Sequence, residues 1–334
     1  YSTASASSGS TTLSGLSAGA TYYINATFTN TDGREGLYSN DYSFRVTNNS
    51  IGDVLVVDDE KRYGVHNIGK YYGAALKTAN FYFDMCSSDA VLGDTVNINN
   101  YWTVIWFTGR GSSSGSDTSL NTDERAKIQT YLQSGGNLFI TGQEIAYDLG
   151  SKGIDVSFLR NYLKANYTAD DAGSAVTLTG VSGTALAGVS FGLDEDDGLI
   201  AGGGAYDARS PDVIRAYGSG DTICLYSVGN AGGVSYKGIF GGGSPAALVY
   251  LSFSFECIKT AAERATVMTK VMSYFGTPVT DTAPNITIAS VFNATPGVSF
   301  TIQLTANDNK DTAYGLTWSL SGASATLWNS IYVV

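Results

Sequence analysis

Hydrophobic and polar positions change rhythm twice along the chain. Residues 20–29 alternate and are rich in Tyr, Phe and Thr, and Asn30-Thr31-Asp32-Gly33 then supplies turn chemistry, the signature of a hairpin. A further strand is expected over 42–46. From Asp53 the alternation gives way to continuous apolar runs at 54–57, 103–107, 137–141 and 248–255. Such runs are expected where helices cover both faces of a sheet. Helical patterns lie between them. One runs over 69–80. A second opens at Asn121 with Glu124 three residues on and ends at Gly135-Gly136. A third opens at Thr260 with Glu263 and stops at Gly276 and Pro278. Residues 166–245 are Gly-rich and strand-like, and read as a β insertion or extension on the α/β core. After Pro278 the alternation returns, at 286–291, 298–306 and 316–320.

This order predicts an α/β domain with a doubly wound, mostly parallel sheet and a β-rich insertion, flanked by sandwich segments. The expected divisions are 1–49, 50–277 and 278–334. At roughly 50 residues each, both flanks fall short of the roughly 100 that a sandwich uses.

Composition narrows the partners. Charged residues are 15% of the chain, and 30 acids outnumber 19 bases for a net charge of −11. No cluster of Lys and Arg along the sequence could displace counterions from a phosphate backbone, so nucleic acid is excluded. Membrane insertion is excluded too, because the longest apolar runs fall far short of a span. Gly (40), Tyr (22) and abundant hydroxyls suit an extracellular or cell-surface module. Sequons at Asn25, Asn48, Asn166, Asn285 and Asn293 permit a glycan. Cys86, Cys224 and Cys257 form no CxxC pair, and His66 is the single histidine, which excludes an ordinary zinc site. Cys224 and Cys257, both in expected strands, could pair in a disulfide, and two buried free thiols are the favoured expectation.

Residues 53–276 resemble the class I glutamine amidotransferase-like superfamily, in the degenerate, non-catalytic version found in large secreted surface proteins. The carrying segments are Val54-Leu55-Val56-Val57-Asp58-Asp59, Trp102 to Gly109, Gly135-Gly136-Asn137-Leu138-Phe139-Ile140-Thr141-Gly142-Gln143-Glu144, and the closing strand 251–256. In active members, the resemblance implies, a Cys follows the strand ending near Thr141 and a later His activates it. Here Gln143 stands nearest that position and no histidine follows it. A carboxamide cannot attack a carbonyl, and a thiol needs a base to ionise. Leu16 with Tyr22 resembles the tyrosine corner of a fibronectin type III domain. The stretch after Pro278 resembles the start of an Ig- or cadherin-like repeat.

One site remains open on chemical grounds. Asp58, Asp59 and Glu144 follow strand ends, where ligands bind in open α/β sheets, and together would form an oxygen-rich crevice for Ca²⁺. The competing reading is that they cap loops or helices. Two further acidic runs, at 194–197 and 307–311, are better read as turns than as calcium loops. The expected function is a non-catalytic structural or adhesive module, a filament or S-layer subunit completing sandwiches between neighbours, with partners among copies of itself or other surface proteins. The alternative is the accessory C-terminal region of a secreted peptidase or other hydrolase.

Overall fold

The computed structural model describes residues 53–60, 68–111, 118–173, 177–194, 203–208 and 210–277, the short strands 21–24, 42–45, 285–288 and 304–307, and the single positions Asp32 and Arg34. The chain divides into two compact units, residues 1–276 and 277–334. In the first, β1 (Thr21–Ile24) pairs antiparallel with β2 (Tyr42–Arg45). Leu16, on which the tyrosine-corner expectation depends, lies outside the described residues.

The centre of this unit is an eleven-stranded mixed sheet flanked by helices, an α/β arrangement. It begins with β3 (Val54–Asp58), helix α1 (Gly69–Thr78), β4 (Phe83–Ser87), α2 (Ser88–Leu92), β5 (Thr103–Phe107), α3 (Thr122–Gln133) and β6 (Asn137–Thr141). A π-turn at Tyr147–Ser151 and α4 (Val156–Asn161) lead into β7 (Ala165–Ala169), β8 (Thr177–Gly180), β9 (Ser190–Gly192), β10 (Val213–Ala216), β11 (Asp221–Tyr226), β12 (Ala231–Ile239) and β13 (Pro245–Leu251). Helix α5 (Ala261–Phe275) closes the unit.

The strand order is β4-β3-β5-β6-β13-β12-β11-β8-β9, with β10 pairing both β12 and β7. The strands from β4 to β13 in this order are parallel to their neighbours. From β12 onward every pair is antiparallel. The sheet is therefore mixed rather than mostly parallel. The reason is that β12 bonds along its length to β13, so the β-rich segment extends the core sheet instead of forming a body apart.

Both capping boxes exist as read. The Asn121 side chain accepts from the Glu124 amide while the Glu124 carboxylate accepts from the Asn121 amide, and Thr260 and Glu263 repeat the exchange. These pairs satisfy amides that a helix's first turn leaves without partners. The apolar runs place Val54, Val56, Ile105, Phe107 and Phe139 on one sheet face, under α1 and α5. Leu55, Val57, Val104, Trp106, Leu138 and Ile140 lie on the other, under α2, α3 and α4. Edge strand β4 is absent from the sequence expectation. It is only partly buried and breaks its apolar run with Asp84 and Ser87.

In the second unit, β14 (Asn285–Ile288) pairs antiparallel with β15 (Leu304–Asn307). The strands expected over 298–303 and 316–320 lie outside the described residues.

Candidate functional site: the rim at the carboxyl ends of the parallel strands

Four parallel strands deliver their last residues to one rim. Strand β3 delivers Asp58, Asp59 and Glu60. Strand β5 delivers Thr108 to Gly111, β6 delivers Gly142 to Glu144, and β13 delivers Ser252 to Cys257.

The three carboxylates expected to converge on a cation serve separate roles. Asp58 Oδ1 accepts from the Glu60 amide at 3.1 Å. Burial raises the Asp58 carboxyl above its usual range, and that amide partly offsets it. Asp59 is 2% exposed, and its oxygens accept from Ser88 Oγ at 2.8 Å and Trp106 Nε1 at 3.0 Å. Its charge is thus spent on bracing two side chains. Glu144 heads the turn after β6. Among the described residues no group of three or more His, Cys, Asp or Glu side chains is placed to hold a metal. Of the other acidic runs, Asp194 Oδ2 accepts from the Gly204 amide at 2.8 Å.

In the turn after β6 the residue in the left-handed backbone region is Glu144, with φ +66. A non-glycine residue there carries about 1–2 kcal/mol of strain. Gln143 instead turns inward and is buried. Its Oε1 accepts from the Ser210 amide at 3.1 Å and its Nε2 lies 4.0 Å from Cys257 Sγ. Asp212, from the β-rich extension, reaches the first turn of the helical segment that follows: its Oδ2 accepts from the amides of Ala146 at 2.8 Å and Tyr147 at 3.1 Å. Asp212 is fully buried, and its Oδ1 and the hydroxyl of Tyr250 have no hydrogen-bond partner. Burial, reinforced by the nearby Glu144 charge, holds the Asp212 carboxyl well above the usual carboxylate range.

On the other face of the rim sits Glu256, fully buried. Tyr72 donates to its Oε2 at 2.6 Å, and the Tyr206 hydroxyl meets its Oε1. Burial pushes Glu256 up to about 7 against the opposing pull of the two hydroxyls. Tyr206 also reaches Ser254 Oγ at 3.1 Å, and Ser254 donates to the Gly109 carbonyl at 2.7 Å. Arg110 pairs with Asp207 and lies over the Tyr206 ring at 4.4 Å. The Glu60 carboxylate accepts from the Arg110 amide at 3.1 Å. Gly109 makes this approach feasible: it has φ +62, and a Cβ there would stand 1.5 Å from Glu60 Oε2.

All three cysteines are free thiols. Cys224 and Cys257 are buried, and burial raises both thiols, Cys257 further because Glu256 adjoins it. Cys86 is half-buried and pushed up to about 11 by burial and by Asp84 and Asp58. None is poised as a thiolate near neutrality. His66 lies outside the described residues. Of the sequons, Asn166 is 8% exposed and its Oδ1 accepts from Arg160 Nε at 2.7 Å.

Sequence reasoning missed Asp212, Glu256 and Tyr206. Each is isolated in the sequence, and the fold alone brings it to the rim.

No protein-family profile matches the chain, and no curated protein matches it in sequence. Solved structures with a remote likeness include a GH42 β-galactosidase from G. stearothermophilus, at 11% identity and a TM-score of 0.44, with 72% of this chain and 32% of that one covered. An exo-β-1,4-mannosidase from Opitutaceae bacterium strain TAV5 gives 12% identity, a TM-score of 0.39, and 68% and 35% coverage. A glutamine amidotransferase from Thermotoga maritima gives 11% identity, a TM-score of 0.39, and 67% and 98% coverage. The chain spans about a third of the length of the two glycosidases. The functional reading rests on the residues of the rim.

Proposed function

We propose that this chain is a non-catalytic structural or adhesive module of a modular extracellular surface protein, working through contacts with copies of itself or with other surface proteins. One observation carries the reading: at the rim where an open α/β sheet would bind a reactant, the charged side chains Asp59, Glu256 and Arg110 are bonded to the protein's own groups, while Asp212 Oδ1 is left without a partner. Asp59 is consumed by Ser88 and Trp106, Glu256 by Tyr72 and Tyr206, and Arg110 pairs with Asp207. Buried polar groups that satisfy one another rigidify a structure and leave little affinity for a reactant that must displace them. The turn after β6 carries Gln143 and Glu144, neither a thiol nor a hydroxyl, and burial raises the Cys257 thiol at the rim rather than lowering it. Acyl transfer needs the opposite arrangement.

The test has two arms on the full chain. Ammonia release from glutamine should be absent, and sedimentation velocity across a hundredfold concentration range should reveal regular association. Glutamine hydrolysis abolished by Glu144→Gln would overturn the non-catalytic reading. A monomer at every concentration that binds no surface protein would overturn the contact reading. If the full-length gene product carries a peptidase domain ahead of this region, the accessory role takes its place.

A further inference from the structure

Arg110, Arg125, Lys127 and Lys152 are paired with Asp207, Asp155, Asp94 and Asp148. Arg160, at the end of α4, and Arg215, in β10, are both exposed, and neither pairs with a carboxylate among the described residues. Asn166 brings the two together. Arg160 Nε donates to Asn166 Oδ1 at 2.7 Å, and Asn166 stands directly opposite Arg215 in the β7–β10 pair. Residues opposite each other in an antiparallel pair share a face. Tyr217, two residues along from Arg215 and 39% exposed, lies under the Arg160 guanidinium at 5.5 Å. The Asn166 bond and the Tyr217 ring hold the plane of Arg160. Its Nε–H is spent on Asn166, and no group among the described residues accepts from its two terminal nitrogens. A guanidinium fixed in this way is preorganised for both oxygens of a carboxylate, and preorganisation lowers the ordering cost of binding.

The chain as a whole is acidic, at −11, so the field that matters is local. Charges are screened beyond about 8 Å at physiological ionic strength. Of the carboxylates on the same elements, Asp155 at the head of α4 is paired with Arg125, and Asp212 just before β10 is buried. Asp170 lies four residues along the strand direction from Asn166, about 13 Å away at a strand's rise per residue. A single carboxylate therefore meets two positive charges here. A ligand with many negative charges would also meet the acidic remainder of the surface.

Tyr217 selects among single carboxylates. An exposed phenol ring covers apolar C–H groups while its hydroxyl stays wet. Asn161 beside Arg160, Thr168 two residues from Asn166 and Ser219 two residues from Tyr217 are exposed, and add amide and hydroxyl partners. A hydroxylated ring that bears one carboxylate uses all of these groups, whereas a bare anion uses the guanidiniums alone. We propose that Arg160, Arg215 and Tyr217 form a binding site for an acidic sugar with one carboxylate, a uronate. The two arginines take the carboxylate, and the Tyr217 ring takes the C–H groups of the pyranose. One copy of the chain holds the whole site, so the inference does not depend on the contact reading above.

Ligand-observed NMR on the full chain tests this, with methyl glucuronide, methyl glucoside and acetate as probes. Methyl glucuronide should bind at least about tenfold more tightly than either of the others, because the glucoside lacks the charge-assisted bonds and acetate lacks the ring. Arg215→Gln removes a side chain with no ion pair to lose, so it should fold, which circular dichroism checks, and should weaken glucuronide binding at least about tenfold. Arg160→Lys keeps the charge without the planar fork and should weaken it too. Tyr217→Ala should reduce glucuronide to the level of acetate. Glucuronide that binds no better than the glucoside, or equally well to Arg215→Gln, overturns the site. Acetate as tight as glucuronide leaves a bare anion site and overturns the sugar. A glutamate-rich peptide that binds more tightly than glucuronide assigns the surface to a protein partner and overturns the sugar as well. Each readout is made on a single copy, so a chain that fails to associate overturns the contact reading and leaves this one to be decided by its own result.

Discussion

Replacing Glu256 by Gln should abolish one component of the pH dependence of stability. Tyr206 has one hydroxyl proton and two oxygens within reach, Glu256 Oε1 and Ser254 Oγ. Ser254 has already donated its own proton to the Gly109 carbonyl. When Glu256 is protonated, the chain runs from Glu256 to Tyr206 to Ser254 to Gly109, and each oxygen donates once. When Glu256 ionises, Tyr206 must turn its proton back and Ser254 Oγ loses its donor. Burial thus favours the protonated acid and raises Glu256 from its ordinary 4.5 to about 7. A carboxyl raised on folding contributes stability that is fully present below the unfolded value and lost as pH rises through the folded one. The window is therefore pH 4.5 to 7, and at about 1.4 kcal/mol per unit the loss is about 3 kcal/mol. Gln reproduces the protonated acid, with its amide donating to Tyr206 and its carbonyl accepting from Tyr72. The assay is urea unfolding of wild type and Glu256→Gln from pH 4 to pH 8, followed by tryptophan fluorescence, to which Trp106, buried in the same sheet, contributes. The stability difference, wild type minus variant, should fall by about 3 kcal/mol across the window. A difference constant within about 0.5 kcal/mol, the usual precision of such comparisons, would refute the protonation argument.

Two other outcomes follow from the same rim. Asp212→Asn keeps an acceptor for the Ala146 and Tyr147 amides and removes a buried charge. Because the Asp212 carboxyl is raised on folding, the wild type loses stability as pH rises above the unfolded value, so the variant should be the more stable at pH 8 and near-equal at pH 4. Thermal unfolding at both pH values checks the sign, and a variant less stable at pH 8 sinks it. In the native chain only Cys86 should react with a thiol reagent, slowly at pH 8 and about tenfold faster per pH unit until its thiol ionises at about 11. Cys224 and Cys257 should label only in urea, and native labelling of either contradicts their burial.

Much of the core was legible because its signals are local. The strands at 103–107 and 137–141 are unbroken apolar runs, and Asn121 with Glu124 and Thr260 with Glu263 are capping pairs three residues apart. What failed was non-local or diluted. Strand β4 is a half-exposed edge, so its polar positions hide it. The β-rich segment read correctly as strands, but no sequence rhythm tells whether such strands form their own sheet or join one. The rim was half legible. Strand ends located Asp58, Asp59 and Glu144, yet nothing in the sequence says that Asp59 will be claimed by Trp106, or that Asp212 will accept from the amides after the turn that follows β6.

The position of β13 has a consequence for biosynthesis. It lies between β6 and β12, yet is the last strand of the sheet to be made. As the nascent polypeptide leaves the ribosome, the parallel strands and the antiparallel ones appear first as two halves with exposed, mutually unbonded edges. They can be joined only when residues 245–251 emerge and insert lengthwise between them. Contacts of such long sequence separation form slowly, and open edges are vulnerable to wrong pairing in the interval. A ribosome stalled before residue 245 should therefore hold a protease-sensitive chain, and one released after residue 276 a resistant one.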